Sequence, residues 1–193
     1  MRKVYLSKLV EIQSGYRARR KIIESPSGTH RLLQARDVND RGINFESAMK
    51  FNPDLDADRY QIHPQDILFI ARGYENKAFF VNQIPDKILA SNSFYILQVY
   101  SKSIHPGFLA WWLNQPQAQD YFAQFQVKSG FSYMSKKNLF NLEVPLHTMD
   151  IQEKISMVQQ LWKKEKSLTN EINVLKSRLI DAACLSAVNQ KEV

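Results

Sequence analysis

From Asp150 to Val193 the sequence contains neither proline nor glycine. Leu168, Ile172, Leu175, Leu179 and Ala182 recur there at alternating spacings of four and three, the seam of a heptad helix. Ile151, Ile155, Val158 and Trp162 make a similar run one segment earlier, and the two runs are offset around Leu161–Glu165 as in an interrupted coiled coil. About 39 helical residues at ~1.5 Å each would span nearly 60 Å. A domain built from the residues before it is too small to cover such a stripe along its whole length, so the helix requires a partner helix, from a second copy or another protein. The stretch "EVPLHTMDIQEKISMV" (residues 143–158) reads as the join: an extended Val144-Pro145-Leu146, Asp150 as the cap, then helix. The division expected is 1–149 for a folded domain and 150–193 for a spacer or dimerisation helix.

The first part has the means to fold. The chain is 44% hydrophobic, and 11 Phe, 8 Tyr and 3 Trp argue against disorder. No apolar run approaches the roughly 20 residues needed to cross a bilayer, and the N-terminus lacks the apolar core of a signal peptide. The single cysteine, Cys184, excludes an intramolecular disulfide framework and a Cys-rich zinc site. These features fit a cytoplasmic protein with no membrane association.

The net charge of +7 is unevenly distributed. Residues 1–41 hold ten Lys/Arg against four acids, residues 42–149 nine of each sign, and residues 150–193 seven against six. A basic segment on a globular domain points to a polyanion, in the cytoplasm to nucleic acid. The candidate contacts are Tyr16, Arg17, Arg19, Arg20 and Lys21 in a first loop, with Arg31 and Arg36 beside it. Arg72, Tyr74 and Lys77 follow a central strand, and Ser132, Tyr133, Lys136 and Lys137 lie in a late Gly-Ser segment.

Local patterns suggest an α+β domain, with an α/β-type body, followed by a long C-terminal helix in a coiled coil. Residues 4–12 read as a strand or short helix stopped at Ser14-Gly15. Residues 16–30 read as a basic loop, 31–38 as a strand, and Asn39–Gly42 as a turn. Ile67–Ala71 reads as a buried strand, 77–82 and 94–100 as two more, and 83–93 as a loop with a short apolar piece. Residues 106–126 read as helical with a kink or break at Pro116, their aromatic residues forming a core face. A Gly-Ser loop, a short Ser-initiated helix and a last strand follow. Asp37 and Asp66 read as turn caps.

Catalytic signatures are scarce. No phosphate-binding or dinucleotide-binding glycine motif is present, and the four histidines have no second ligand at helical spacing. No methyltransferase tetrapeptide of the Asn/Asp-Pro-Pro-aromatic type exists. Pro53-Asp54 followed by Glu75-Asn76-Lys77 loosely matches the carboxylate–carboxylate–lysine pattern of Mg²⁺-dependent nucleases, in which two acids hold metal and the lysine faces phosphate. Asp54 sits in an Asn-Pro-Asp turn, however, and Glu75 in a loop. A pure protein-interaction module, with the basic face idle, is the remaining alternative.

Taken in order, these segments resemble the specificity subunits of Type I restriction–modification systems. "LSKLVEIQSG" (6–15), "LLQARDV" (32–38) and "HPQDILFIARG" (63–73, with Gln65 where a glycine is customary) resemble its opening strands. "ASNSFYIL" (90–97), "GFLAWWLN" (107–114) and "KSGFSYMSKKNL" (128–139) resemble its following strand, helix and Gly-Ser loop. "LEVPLHTMDIQEKI" (142–155) resembles the start of its spacer helix, with His147 where a second proline is usual. The resemblance implies one target-recognition domain and one spacer helix, half of a full subunit, with no catalytic residue of its own. It implies double-stranded DNA as ligand, and as partners a methyltransferase subunit, a motor-nuclease subunit and a second copy joined through antiparallel helices. S-adenosylmethionine, ATP and Mg²⁺ would then sit on the partner subunits, and this chain would bind no cofactor.

Overall fold

The computed structural model describes residues 2–54, 57–85, 87–125 and 132–189. It divides into two compact units, Met1–Ser156 and Met157–Val193. The expected division at residue 149 differs from this because the opening turns of the long helix pack into the first unit.

In chain order the elements are β1 (Arg2–Tyr5), β2 (Val10–Ser14), β3 (His30–Leu33), β4 (Val38–Asn39), β5 (Gly42–Ile43), β6 (Met49–Phe51), β7 (Ile67–Ile70), β8 (Arg72–Gly73), β9 (Ala78–Phe80), β10 (Ile88–Ala90) and β11 (Phe94–Val99). There follow α1 (Pro106–Leu113), α2 (Pro116–Ala123), β12 (Ser132–Tyr133), α3 (Lys136–Phe140), β13 (Glu143–Leu146) and α4 (Met149–Asn189). The fold is thus α+β with a long C-terminal helix.

The central sheet is antiparallel, in the order β2-β11-β7-β9. Its middle strands explain why "ILFI" is apolar at every position rather than alternating. Ile67 and Phe69 of β7, with Tyr95 and Leu97 of β11, face a core shared with Phe108, Leu109 and Leu113 of α1 and Phe122 of α2. Leu68 and Ile70, with Phe94 and Ile96, face a second core shared with Leu33 and with Ile88 and Ala90. A strand covered on both faces has no solvent side on which to place a polar residue.

The second layer is a three-stranded sheet, β10-β3-β6, in which β10 runs parallel to β3 and β6 antiparallel to it. Two of its strands are not evident from the sequence. The apolar piece inside 83–93 is a fully buried strand, and Met49–Phe51 is a strand that no periodicity marked. Both are three residues long, too short to display a period of two. The break expected at Pro116 is present: the segment forms two helices, and Pro116 is the first residue of the second. Asp150 is not the cap of α4. The Thr148 carbonyl accepts from the Ile151 and Gln152 amides, and Asp150 sits in the first turn, ion-paired with Lys154 at 2.8 Å.

Two backbone positions need their conformations. Gln65, where the resemblance has glycine customary, has φ 77°, in the left-handed region that costs a side chain energy. Gly15 carries no side chain because a Cβ would lie 2.1 Å from the Ser91 carbonyl oxygen. That close approach pins the end of β2 against the β10–β11 turn.

Candidate nucleic-acid interface

Sheet topology decides where the basic segments meet. β2 and β7 each run antiparallel to β11, so the C-terminal ends of both lie with the beginning of β11 at one end of the sheet. The loop after β2 carries Arg17, Arg19, Arg20 and Lys21; β8, which follows β7 directly, carries Arg72, and the turn after it Tyr74. The Gly15 amide donates to the Phe94 carbonyl at 3.0 Å and the Arg72 amide to the Ser93 carbonyl at 3.1 Å, which anchors both segments at the same turn. The third segment joins them: β12 pairs with β8, setting Tyr133 opposite Arg72, and the Met134 amide donates to Ala71. Segments about sixty residues apart in sequence thus form one surface.

In these segments Arg17, Arg19, Arg20, Lys21, Arg72, Tyr74, Tyr133 and Lys137 are exposed, and Arg36, outside them, is exposed as well. The Arg72 guanidinium lies 5.0 Å over the Tyr133 ring, which holds its planar donor fork in place. The side chain of Ser132, and Lys128 with the Gly-Ser loop at 126–131, lie outside the described residues.

Four candidates occupy different roles from those expected. Tyr16 is 4% exposed, its ring packed between Phe51 and Tyr60. Its hydroxyl donates to Asp54, whose other carboxylate oxygen accepts the Arg19 amide at 3.0 Å. Tyr16 and Asp54 therefore latch the base of the basic loop. Arg31 donates to the carbonyls of Glu46 and Ala48. Lys136 donates to the Ile12 carbonyl at 2.8 Å. Lys77 is clasped by Glu75 at 2.6 Å and Asp40 at 2.9 Å, the two carboxylates raising its pKa. Each of these charges already has an intramolecular partner that a phosphate would have to displace.

The same contacts weigh against the nuclease pattern. Asp54 is engaged with Tyr16 and Arg19, Glu75 with Lys77, and among the described residues no three His, Cys, Asp or Glu side chains group as metal ligands. Asp37 and Asp66 are caps: Asp37 accepts from the Gln34 amide at 2.8 Å, Asp66 from the His63 amide at 2.7 Å.

Sequence reading missed Tyr95, a buried strand residue whose hydroxyl donates to that of Tyr133 at 3.5 Å. The hydrogen bond from Tyr95 and the Arg72 guanidinium hold the Tyr133 phenol below the ordinary range, whereas burial pushes Tyr95 up. In a phenolate absorbance titration the lowest step is expected below the usual value of about 10. It should vanish in Tyr133→Phe and move upward in Tyr95→Phe; a lowest step unchanged in Tyr133→Phe would refute the arrangement.

Beneath the basic loop lies a cleft of about 310 Å³, rimmed by Arg20 and Lys21 and floored by Ile22 and Phe51.

No family model matches the sequence. The specificity subunit of the Type I restriction enzyme EcoBI, from Escherichia coli, is 26% identical over 145 residues, 74% of this chain and 30% of that protein. The S subunit of the Type I restriction–modification system of M. genitalium superposes over 98% of this chain with a TM-score of 0.66 at 13% identity. The chain is similar to Type I specificity subunits in sequence and in fold. It spans 46% of the M. genitalium subunit and less than a third of the E. coli one. A chain from the type I R-M system, solved in work on complex assembly and conformational transition, matches at TM-score 0.60 and 19% identity over 94% of this chain and 44% of that one. The HsdS subunit of Thermoanaerobacter tengcongensis matches at 0.55 and 17% over 88% and 39%. Among the described residues no helix is long and apolar enough to cross a membrane.

Proposed function

We propose that this chain is a non-catalytic DNA-recognition half-subunit of a Type I restriction–modification system, acting in the cytoplasm. The observation that carries this reading is the convergence of three basic and aromatic segments at one end of the central sheet, on a fold shared with specificity subunits. Lys and Arg contacts to phosphate position the domain, and fork donors such as Arg72 read base edges. The chain directs a partner adenine methyltransferase, and a motor-nuclease subunit, to the chosen site. S-adenosylmethionine, ATP and Mg²⁺ belong to those partners. Two copies joined through antiparallel α4 helices present two identical reading surfaces, which selects an inverted repeat with a fixed gap.

Selection of bound duplexes from a random pool, with and without the methyltransferase, tests this directly. A bipartite inverted repeat is the expected consensus, and the DNA should remain uncut. Cleavage by this chain alone in Mg²⁺, lost in Glu75→Ala, would replace the reading with a nuclease. Failure to retain any duplex with the methyltransferase present would leave a protein-interaction module.

A further inference from the structure

The proposed dimer leaves open how the two helices are aligned, and the exposed part of α4 contains that information. Extending the heptad frame backward places Val158, Glu165, Ile172, Leu179 and Ser186 at one core position and Leu161, Leu168, Leu175 and Ala182 at the other. Leu161 joins the seam in this frame, and Glu165 becomes a polar residue inside it. Leu161, Leu168, Ile172, Leu175 and Leu179 are all exposed on the single helix. In an antiparallel pair, residues of the first set face residues of the second. The frame therefore allows only registers differing by whole heptads.

Resting on the homodimer reading, we infer that α4 pairs with a second copy in one register: Ile172 against Leu175, Leu168 against Leu179, and Glu165 against Ala182 of the second copy. Two observations select it. It sets each Glu171 beside Arg178 of the second copy, two ion pairs related by the two-fold axis. These residues are seven apart on one helix, about 10.5 Å of rise at ~1.5 Å per residue, so they do not pair within a chain. It also places the polar Glu165 opposite the smallest seam residue, and bulky Trp162 beside Ala183 of the second copy.

Neighbouring registers do worse. A slide of one heptad one way sets Glu171 against Glu171 and Lys164 against Arg178. The opposite slide sets Arg178 against Arg178. A slide of two heptads buries Glu165 against Leu168 and runs the helix end past the start of α4 at Met149. The chosen register separates the two Val158 positions by about 46 Å along the axis at ~1.5 Å per residue, which makes α4 a ruler between the reading surfaces.

Cysteine pairing tests it on the full chain with Cys184→Ser. Leu168→Cys mixed with Leu179→Cys should form a disulfide-linked dimer in at least about tenfold higher yield than either alone, or than Leu168→Cys mixed with Ile172→Cys. Separately, Glu171→Arg or Arg178→Glu should each weaken dimerisation by about tenfold, through two lost ion pairs and two like-charge contacts, and the double reversal should restore it. Preferential cross-linking of 168 to 172, or a monomer at high concentration, overturns the register. A monomer that still binds DNA with the methyltransferase would leave the recognition reading standing. A correctly cross-linked dimer that binds no DNA would keep the register and overturn that reading.

Discussion

Replacing Arg17, Arg19, Arg20 and Lys21 together with glutamine is expected to flatten the salt dependence of duplex binding more than any other change in the domain. These four exposed cations sit in one loop whose base is fixed by the Tyr16–Asp54 latch and the tight passage at Gly15. Each phosphate contact contributes a slope of about 0.9 in log affinity against log salt. Four lost contacts would reduce the slope by up to about 3.6, equivalent to on the order of a hundredfold in affinity across a fourfold change in salt. The difference from wild type should be greatest at low salt and shrink as salt rises. Lys77→Gln is the control, since that ammonium is already neutralised by Glu75 and Asp40 and its loss should leave the slope nearly unchanged. A quadruple variant with the wild-type slope would remove the basic loop from the interface.

The second large effect is structural. Gln152 is 0% exposed and binds three backbone groups. Its Oε1 accepts the His105 amide at 2.8 Å, and its Nε2 donates to the Ser103 carbonyl at 3.0 Å and the His147 carbonyl at 2.9 Å. It thereby fastens the first turns of α4 to the N-terminus of α1. Alongside, a Cβ on Gly107 would lie 2.0 Å from the Ser156 hydroxyl, so the two helices approach as closely as glycine permits. Gln152→Leu keeps the volume but strands three buried groups. A cost of about 3 kcal/mol is expected, since each orphaned group costs roughly 1–3 kcal/mol and some will find water. At roughly 2–4 °C per kcal/mol for a chain of this size, the melting temperature should fall by about 6–12 °C. Calorimetry showing a fall of less than about 2 °C would mean the joint is held by other contacts.

The surface that the proposed function needs was half legible in the sequence. Charge clustering identified the loop after β2, and its four cations are exposed. The same clustering also swept in Arg31, and the aromatic beside the loop swept in Tyr16. Composition cannot separate a cation that meets solvent from one that braces a neighbouring strand through its carbonyls. The partners of Lys77 and Lys136 are hidden for the same reason: Asp40 and Ile12 are distant in sequence and become neighbours only in the folded chain. Tyr95 was invisible as a site residue because a tyrosine in an aromatic strand reads as core, and most of its ring is core.

Short strands were lost for a different reason. β10 lies at full burial in the second layer, yet three residues flanked by loop chemistry carry no period. Gln65 shows the converse. The glycine customary at that place would suit the left-handed conformation that Gln65 adopts at φ 77°.

By itself the sequence determined that the chain would end in a long helix with an unmet apolar seam, that its excess charge would sit near the N-terminus, and that "ILFI" would be buried. These follow from local periodicity and composition, which act over a few turns or one strand. Only the tertiary structure decided which cations remain available and that the segments after β2 and β7 and the one at 132–137 share one end of a sheet. Antiparallel pairing to a common strand, β11, brings those ends together, and pairing between strands is a long-range contact that no local pattern encodes.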